Sequence, residues 1–138
     1  MTLVFASSGE SRVLDLFLNK ATQENYKMGL FTNSWLPGKA TAITSLVEAS
    51  GGGYAKGVMP NPSSWNVVAS NANGLAEATY PQLQWIFTAS IGPIEGYFVV
   101  GTTSDRYIYA EKFGDGPYLI VRSGDTINIT PRILVNSI

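Results

Sequence analysis

The sequence predicts a mostly β fold, an antiparallel β-sandwich or barrel with one short N-terminal helix. Short apolar segments recur about every eight to twelve residues, and turn-forming residues separate them. Only one segment, near the N-terminus, has a clear helical period. The 138 residues are enough for one core, and 45% hydrophobic against 14% charged residues excludes a disordered chain. We therefore expect residues 1–138 to form a single domain.

The helix is predicted over residues 8–21. Ser8 is available as an N-cap, and Glu10 lies in the first turn, where a negative charge interacts favourably with the helix dipole. Five apolar residues at three-to-four spacing share one face of this helix. They are Val13, Leu14, Phe17, Leu18 and Ala21.

Strands are expected after the helix. Residues 26–32 alternate as a strand does, and residues 33–38 are typical of a loop. Residues 42–49 fit a helical turn about as well as a strand, so both alternatives stay open. The glycines at 51–53 predict a bend, and residues 54–59 predict a short strand that two prolines end.

A hairpin and a half-buried strand are predicted next. Residues 65–70 and 75–80 are joined by residues 71–74, whose Asn and Gly residues tolerate positive φ. Residues 82–88 alternate cleanly, which predicts one buried face. The side chains of that face are Leu83, Trp85 and Phe87.

The last third predicts four more strands. They cover residues 94–101, 106–113, 118–121 and 126–135. The last of these is predicted as one strand, because its apolar residues keep a period of two.

Composition excludes several classes of function. The chain contains no His and no Cys, so imidazole-based hydrolysis, thiolate or His metal sites and disulfides are excluded. A net charge of -1 argues against a nucleic-acid partner. No apolar stretch approaches the length of about 18 residues that a membrane span needs, and the N-terminus lacks a basic leader. We expect synthesis in the cytoplasm, no membrane partner and no cofactor.

Carboxylates are then the remaining acid–base groups, and four cluster late in the chain. Asp115 and Asp125 lie in Gly-containing turns, which favours hydrogen bonds to backbone over catalysis. Asp105 looks like the end of a turn. Glu111 is expected to form a cross-strand ion pair, with a buried or interface position as the alternative. The spacing of a calcium loop is missing, so we predict neither catalytic nor metal-binding residues.

Among the aromatic residues, Trp85 is predicted to be buried because it alternates with apolar neighbours. Trp35 lies in a Ser-Trp-Leu-Pro loop, where docking on a partner and local packing are equally good interpretations.

Three segments near the C-terminus together resemble the ending of small virion structural proteins of tailed bacteriophages. They are residues 94–100 (IEGYFVV), 109–113 (YAEKF) and 124–131 (GDTINITP), and their order and spacing match. Earlier segments are also similar to that group, so the resemblance covers most of the chain. These segments are residues 30–33, the helix over 10–20, and residues 53–55 with the downstream Trp65.

The resemblance implies a jelly-roll-like β-sandwich on the outside of a phage particle. Such a protein is either a capsid cement (decoration) protein or a tail-associated component, and it is often a symmetric oligomer, here expected to be a trimer. The implied partner is the major capsid protein or another virion protein, and no catalytic residue carries over. The residues expected to contact a partner are Met1, Leu3 and Phe5 of the N-terminal segment, Trp35 and Leu36 of the loop, and Tyr107.

Two other classes of function remain as alternatives. A carbohydrate-binding tail module would use exposed aromatic residues such as Trp35 and Tyr107 for stacking. A glycoside hydrolase built on carboxylates alone would need two acidic groups facing each other across a cleft.

Overall fold

The chain folds mainly into antiparallel strands, as its alternating segments predict. The computed structural model describes residues 4–59 and 64–135, and these contain twelve strands, one α-helix and one short 3₁₀ helix. In chain order the elements are β1 (Val4–Phe5), α1 (Ser7–Phe17), β2 (Tyr26–Phe31), the 3₁₀ helix (Ile43–Ser45), β3 (Gly57–Met59), β4 (Asn66–Val68), β5 (Ala76–Thr79), β6 (Leu83–Ile86), β7 (Gly92–Ile94), β8 (Gly96–Gly101), β9 (Tyr107–Lys112), β10 (Tyr118–Ile120), β11 (Thr126–Ile129) and β12 (Arg132–Val135).

The largest sheet has five strands in the order β1-β9-β8-β2-β3, and every neighbouring pair is antiparallel. The ladder between β8 and β9 shifts register where Val99 pairs with Tyr109 and Val100 pairs with Tyr107. Ile108 is therefore the extra residue of a bulge, and it lies on the same side of the sheet as Tyr109.

Apolar side chains pack on both faces of this sheet. On one face, Met28 and Leu30 contribute to a core shared with three smaller sheets, β6–β11, β7–β10 and β4–β5–β12. On the other face, a smaller cluster is covered by the chain that follows β2. Its buried members are Ala6, Phe31, Trp35, Phe98, Val100, Tyr107 and Ala110. Two-sided burial explains why β8 is an unbroken apolar run rather than an alternating one.

The predicted hairpin over residues 65–80 is confirmed, since β4 and β5 pair antiparallel. The side-chain oxygen of Asn71 accepts hydrogen bonds from the amides of Asn73 and Leu75, at 2.9 and 3.1 Å. Gly74 has a φ of 74°. The turn therefore uses Asn and Gly as the sequence predicts.

The prediction of one strand over residues 126–135 is wrong. The segment forms two strands in different sheets, because β11 pairs with β6 whereas β12 pairs with β5. The buried Pro131 lies between them, has no amide hydrogen to donate, and accepts a hydrogen bond from the Tyr80 amide through its carbonyl.

The predicted helix is present, but it begins and ends earlier than residues 8–21. Ala6, not Ser8, is the N-cap residue. At the C-terminus, Asn19 adopts a left-handed conformation with a φ of 55°. The Lys20 amide then donates to the Asp15 carbonyl at 2.7 Å and the Asn19 amide donates to the Leu16 carbonyl at 3.2 Å. This is a Schellman arrangement, which satisfies the last carbonyl groups and stops the helix.

Residues 42–49, for which a helical turn and a strand were both predicted alternatives, contain a helical turn followed by a single β-bridge. Residues Ile43–Ser45 form a single 3₁₀ turn, and Glu48 then makes an isolated antiparallel bridge with Phe31. The side chain of Asn33 links this segment to β2, since it donates to the Ser45 carbonyl and accepts from the Val47 amide.

Candidate interaction surface

Helix α1 packs against β9 through its small residues. The Ser8 hydroxyl donates to the Tyr107 carbonyl at 2.5 Å. A Cβ atom at Gly9 would collide with the backbone of Ile108, so the helix backbone lies directly on the strand. The helix face that meets the sheet is therefore its least apolar one.

A buried ion pair fixes the orientation of the helix. Arg12 donates to the Thr22 carbonyl at 2.7 Å and to the Glu24 carboxylate at 3.1 Å. The side chains of Arg12 and Glu24 are only 11% and 6% exposed. Glu24 also accepts hydrogen bonds from Thr103 and Ser104 in the turn between β8 and β9. Because this network joins α1, the start of β2 and that turn, it resists rotation of the helix about its axis.

The Glu24 carboxyl group is held in its charged form. Burial raises its pKa, but hydrogen bonds from Ser104 and Thr103, together with the charge of Arg12, outweigh this effect. The pKa of Glu24 therefore lies below its ordinary value.

The apolar face of α1 consequently points away from the core. Four side chains on this face form a ridge, called here the α1 ridge, and they are well exposed: Val13 53%, Leu14 60%, Phe17 84% and Leu18 58%. A helix of a monomeric domain normally buries such a stripe. The exposed ridge is therefore a candidate interaction surface.

An apolar groove of about 660 Å³ lies beside the α1 ridge. Its lining comes from α1, from the five-stranded sheet and from the sheet that contains β4 and β12. Of the described residues that line this α1 groove, all except Gln23 are apolar or aromatic: Phe5, Val13, Leu16, Tyr26, Met59, Trp65, Val67, Val99, Ile108, Tyr109, Ile133, Leu134 and Val135. Val67, Leu134 and Val135 are 71%, 43% and 65% exposed, so the apolar surface continues across the groove onto β4 and β12.

Several charged residues near this face are paired locally. Glu10 binds Lys39 at 2.9 Å, and Asp15 binds Arg106 at 3.4 Å. On the opposite side, Arg132 of β12 binds Glu77 at 2.8 Å. The face is thus apolar at its centre, with ion pairs at its edge.

The predicted docking role of Trp35 is wrong, and its alternative, local packing, describes the structure. Trp35 is 5% exposed, and its ring makes edge contacts with Phe31 and Tyr107 at centroid distances of 5.5 and 5.9 Å. Tyr107 is also buried, at 6% exposure, which contradicts its expected exposure, and burial raises its pKa to about 12. The loop position of Trp35 left both interpretations open, and the structure shows that this loop folds back over the second face of the sheet.

The other residues expected at an interface have different positions. Leu36 is 69% exposed, next to the buried Trp35. Phe5 is half-buried, lines the α1 groove and packs on Tyr109 at 5.2 Å between ring centroids. Met1 and Leu3 lie outside the described residues.

The carboxylates make separate local contacts. Asp125 accepts hydrogen bonds from the amides of Val121 and Arg122, which lower its pKa, and this confirms its predicted turn role. Asp115 instead accepts a hydrogen bond from the Tyr118 hydroxyl at 2.6 Å.

Glu111 and Asp105 differ in their partners. The predicted cross-strand ion pair of Glu111 is wrong, because the residue directly opposite on β8 is Tyr97, whose hydroxyl donates to the carboxylate. Asp105, in a left-handed conformation, pairs with Lys27 at 2.8 Å, and this partner lowers its pKa.

Within residues 4–59 and 64–135, no three acidic side chains are grouped as a metal site would require.

No protein-family model, curated protein or solved structure matches this chain. Within the described part of the chain, no helix is long and apolar enough to cross a membrane.

Proposed function

We propose that this chain is a virion structural protein, a capsid cement (decoration) protein that binds the outer surface of a phage head. The observation that carries the proposal is the exposed apolar surface of the chain, which includes the outward-facing Leu36 as well as the α1 ridge and the α1 groove. Such a surface is typical of a protein whose task is contact with other proteins. The resemblance of residues 94–100, 109–113 and 124–131 to phage virion proteins supports the same class.

We also propose that the sheets form a jelly-roll-like β-sandwich. The main core supports this arrangement, because side chains of the five-stranded sheet share one cluster with side chains from the smaller sheets. From the large sheet come Met28, Leu30, Tyr97 and Val99, and from the smaller ones come Trp85, Ile94, Ile120 and Ile127, together with Phe87 directly after β6. Two layers with a common core are what a sandwich requires.

Cementing would act by adding contacts that exist only in the assembled shell. A protein that bridges neighbouring capsid subunits binds the closed shell and not the separated subunits, so binding shifts the equilibrium towards the closed shell. The shell must then break these additional contacts before it opens.

The Trp35 loop offers a preorganised contact for this purpose. Trp35 anchors the loop on Phe31 and Tyr107, and Asn33 ties its base to residues 45–47. Leu36 is presented outward from this anchored loop. Because little conformational entropy is lost when a fixed loop binds, Leu36 is well suited to contact the capsid.

The location on the particle is tested by counting copies. Heads and tails of purified particles are separated, and this chain is quantified in each by mass spectrometry. We expect hundreds of copies on heads. A few copies confined to tails would overturn the capsid role and support the alternative, a tail or baseplate component.

The loop contact is tested by binding to heads that lack the protein. We expect Leu36→Glu to weaken binding at least about 10-fold, since a charge would be placed against an apolar contact. Val121→Glu is the matched control, because Val121 is 62% exposed on a different part of the surface. Equal loss of binding in both variants would contradict a specific role for Leu36.

The other two functional hypotheses have less support. The carbohydrate-binding hypothesis used Trp35 and Tyr107 as exposed stacking residues, and both are buried. The hydrolase hypothesis required two acidic groups across a cleft, whereas Glu111 and Asp125 are engaged with a tyrosine and a turn. We therefore propose no catalytic role.

A further inference from the structure

The α1 ridge and the α1 groove are a projecting and a receiving apolar surface on the same face of one chain. Phe17 lies one helical turn after Val13, which lines the groove. With 84% of its surface exposed, Phe17 does not occupy the groove of its own chain. Every copy therefore carries an unfilled apolar groove next to an unburied aromatic side chain.

We infer that this face binds a second copy of the same chain, with Phe17 of one copy entering the α1 groove of the other. The contact is either reciprocal, which gives a dimer, or head-to-tail, which closes a ring. The inference does not depend on the capsid role, because it concerns only how this chain binds itself.

The exposed apolar area is sufficient for such an interface. Seven side chains of the face, Val13, Leu14, Phe17, Leu18, Val67, Leu134 and Val135, are each between 43% and 84% exposed. Together they expose on the order of 500 Å² of apolar surface. Because roughly 60% of an interface is apolar, this corresponds to roughly 800 Å² on each copy, which is the size of a standard stable interface.

Electrostatics favour a second copy over an anionic lipid surface. The ion pairs Glu10–Lys39, Asp15–Arg106 and Glu77–Arg132 neutralise several charges near the face within each chain, which reduces like-charge repulsion between two copies. A net charge of -1 also opposes association very little. An anionic lipid surface would instead require an excess of basic residues, and the chain has 9 against 10 acidic ones.

The first test is the molar mass of the purified, complete chain, measured by sedimentation equilibrium over a range of concentrations. The monomer has a mass of 14.9 kDa, and we expect a discrete multiple of this mass. Phe17→Lys should raise the dissociation constant at least about 30-fold, as for a central aromatic contact. Lysine is chosen because a positive charge at a helix C-terminus does not disfavour the helix. A wild-type chain that stays monomeric at every concentration up to about 1 mM would overturn the inference.

Two matched variants complete the design. Leu119→Lys places the same charge on β10, where Leu119 is 63% exposed, and should leave the molar mass unchanged. Val67→Glu changes the groove side and should also abolish self-association. An equimolar mixture of the Phe17→Lys and Val67→Glu proteins should associate again, since Phe17 of one variant meets the intact groove of the other. In a reciprocal dimer the second contact then pairs the introduced lysine with the introduced glutamate, which attract each other. A mixture that stays monomeric, or a Leu119→Lys protein that dissociates like Phe17→Lys, would contradict the assigned surface.

Folding of each variant is checked by circular dichroism, and Phe17→Ser replaces Phe17→Lys if the lysine protein is unfolded. The two proposals fail separately. A monomeric wild-type chain refutes self-association, and the copy count on heads still tests the capsid role. An oligomer that is absent from heads refutes the capsid role and leaves self-association intact.

Discussion

Strand β6 and helix α1 have equally regular apolar patterns, but the structure places them in opposite environments. In β6 and the residue after it, Trp85 and Phe87 are 6% and 1% exposed, and they face the main core. In α1, Leu14 and Phe17 are 60% and 84% exposed. An apolar pattern thus defines which side chains share a face, whereas the rest of the fold decides what covers that face.

The difference arises from how each element is attached. Strand β6 is held by its ladder with β11, and its apolar side faces the five-stranded sheet. Helix α1 is held by Ser8 and Gly9 against the backbone of β9 and by Arg12 against Glu24. Because those attachments lie on its polar side, its apolar side points outward.

The largest expected effect is the removal of a core side chain from β6. Trp85→Ala should destabilise the protein by about 3–5 kcal/mol, because it leaves a cavity and removes the indole hydrogen bond to the Ala55 carbonyl. Urea unfolding measures the change. Ile86→Ala, on the opposite side of the same strand and 59% exposed, should change stability by less than about 0.5 kcal/mol. Similar losses in both variants would contradict the one-sided burial of β6.

The next effect concerns the attachment of α1 through Glu24. Glu24→Gln should cost about 1.5–3 kcal/mol at neutral pH, because charged hydrogen bonds to Arg12, Thr103 and Ser104 are weakened. Since the pKa of Glu24 is lower in the folded state, its contribution is present above its unfolded pKa of about 4.3 and is lost as the pH falls through the folded value.

Unfolding free energies measured from pH 7 down to pH 3 test this direction of the pH dependence. The wild type should lose more stability than Glu24→Gln over the acidic part of the range. Glu10→Gln is the control, because its ion pair with Lys39 is exposed and should contribute little. Parallel pH profiles for the wild type and Glu24→Gln would show that Glu24 does not fix the helix.

A smaller effect is expected at the closest approach of α1 to β9. Gly9→Ala should destabilise by about 1–3 kcal/mol, because its Cβ meets the Ile108 backbone. Helix propensity alone predicts the opposite change in stability, because it favours alanine over glycine by about 1 kcal/mol. Thermal unfolding distinguishes the two, and a rise in Tm would mean that the helix does not lie directly on the strand.

The smallest effect is expected on the α1 ridge. At concentrations where the chain is monomeric, Phe17→Ala should change the unfolding free energy by less than about 0.5 kcal/mol. The Tm of Phe17→Ala should also depend less on protein concentration than the Tm of the wild type, because association stabilises only the folded chain. A loss above about 2 kcal/mol in the dilute monomer would place Phe17 in a core and remove the contrast with β6.

Local features of the chain were predictable from sequence. The hairpin of β4 and β5, the alternation of β6 and the backbone-bound Asp125 all depend on neighbouring residues, and each is confirmed. Turn chemistry and side-chain alternation act over a few residues, so a single sequence contains the information.

Features that depend on distant residues were missed. The partner of Glu111 is Tyr97, which the register of β8 and β9 places opposite it. Trp35 is buried because its loop covers Phe31 and Tyr107, which no local pattern indicates.

The sequence alone determined where most strands and turns lie and which apolar residues share a face, because backbone geometry links these properties to a period of two or to three-to-four spacing. Tertiary structure decided that residues 126–135 divide between two sheets and that α1 presents its apolar side outward. The physical reason is that sheet pairing and helix packing join segments far apart in the chain, such as Gly9 with Ile108 and Arg12 with the turn at Ser104. Those long-range contacts place a regular apolar stripe on the surface of the protein.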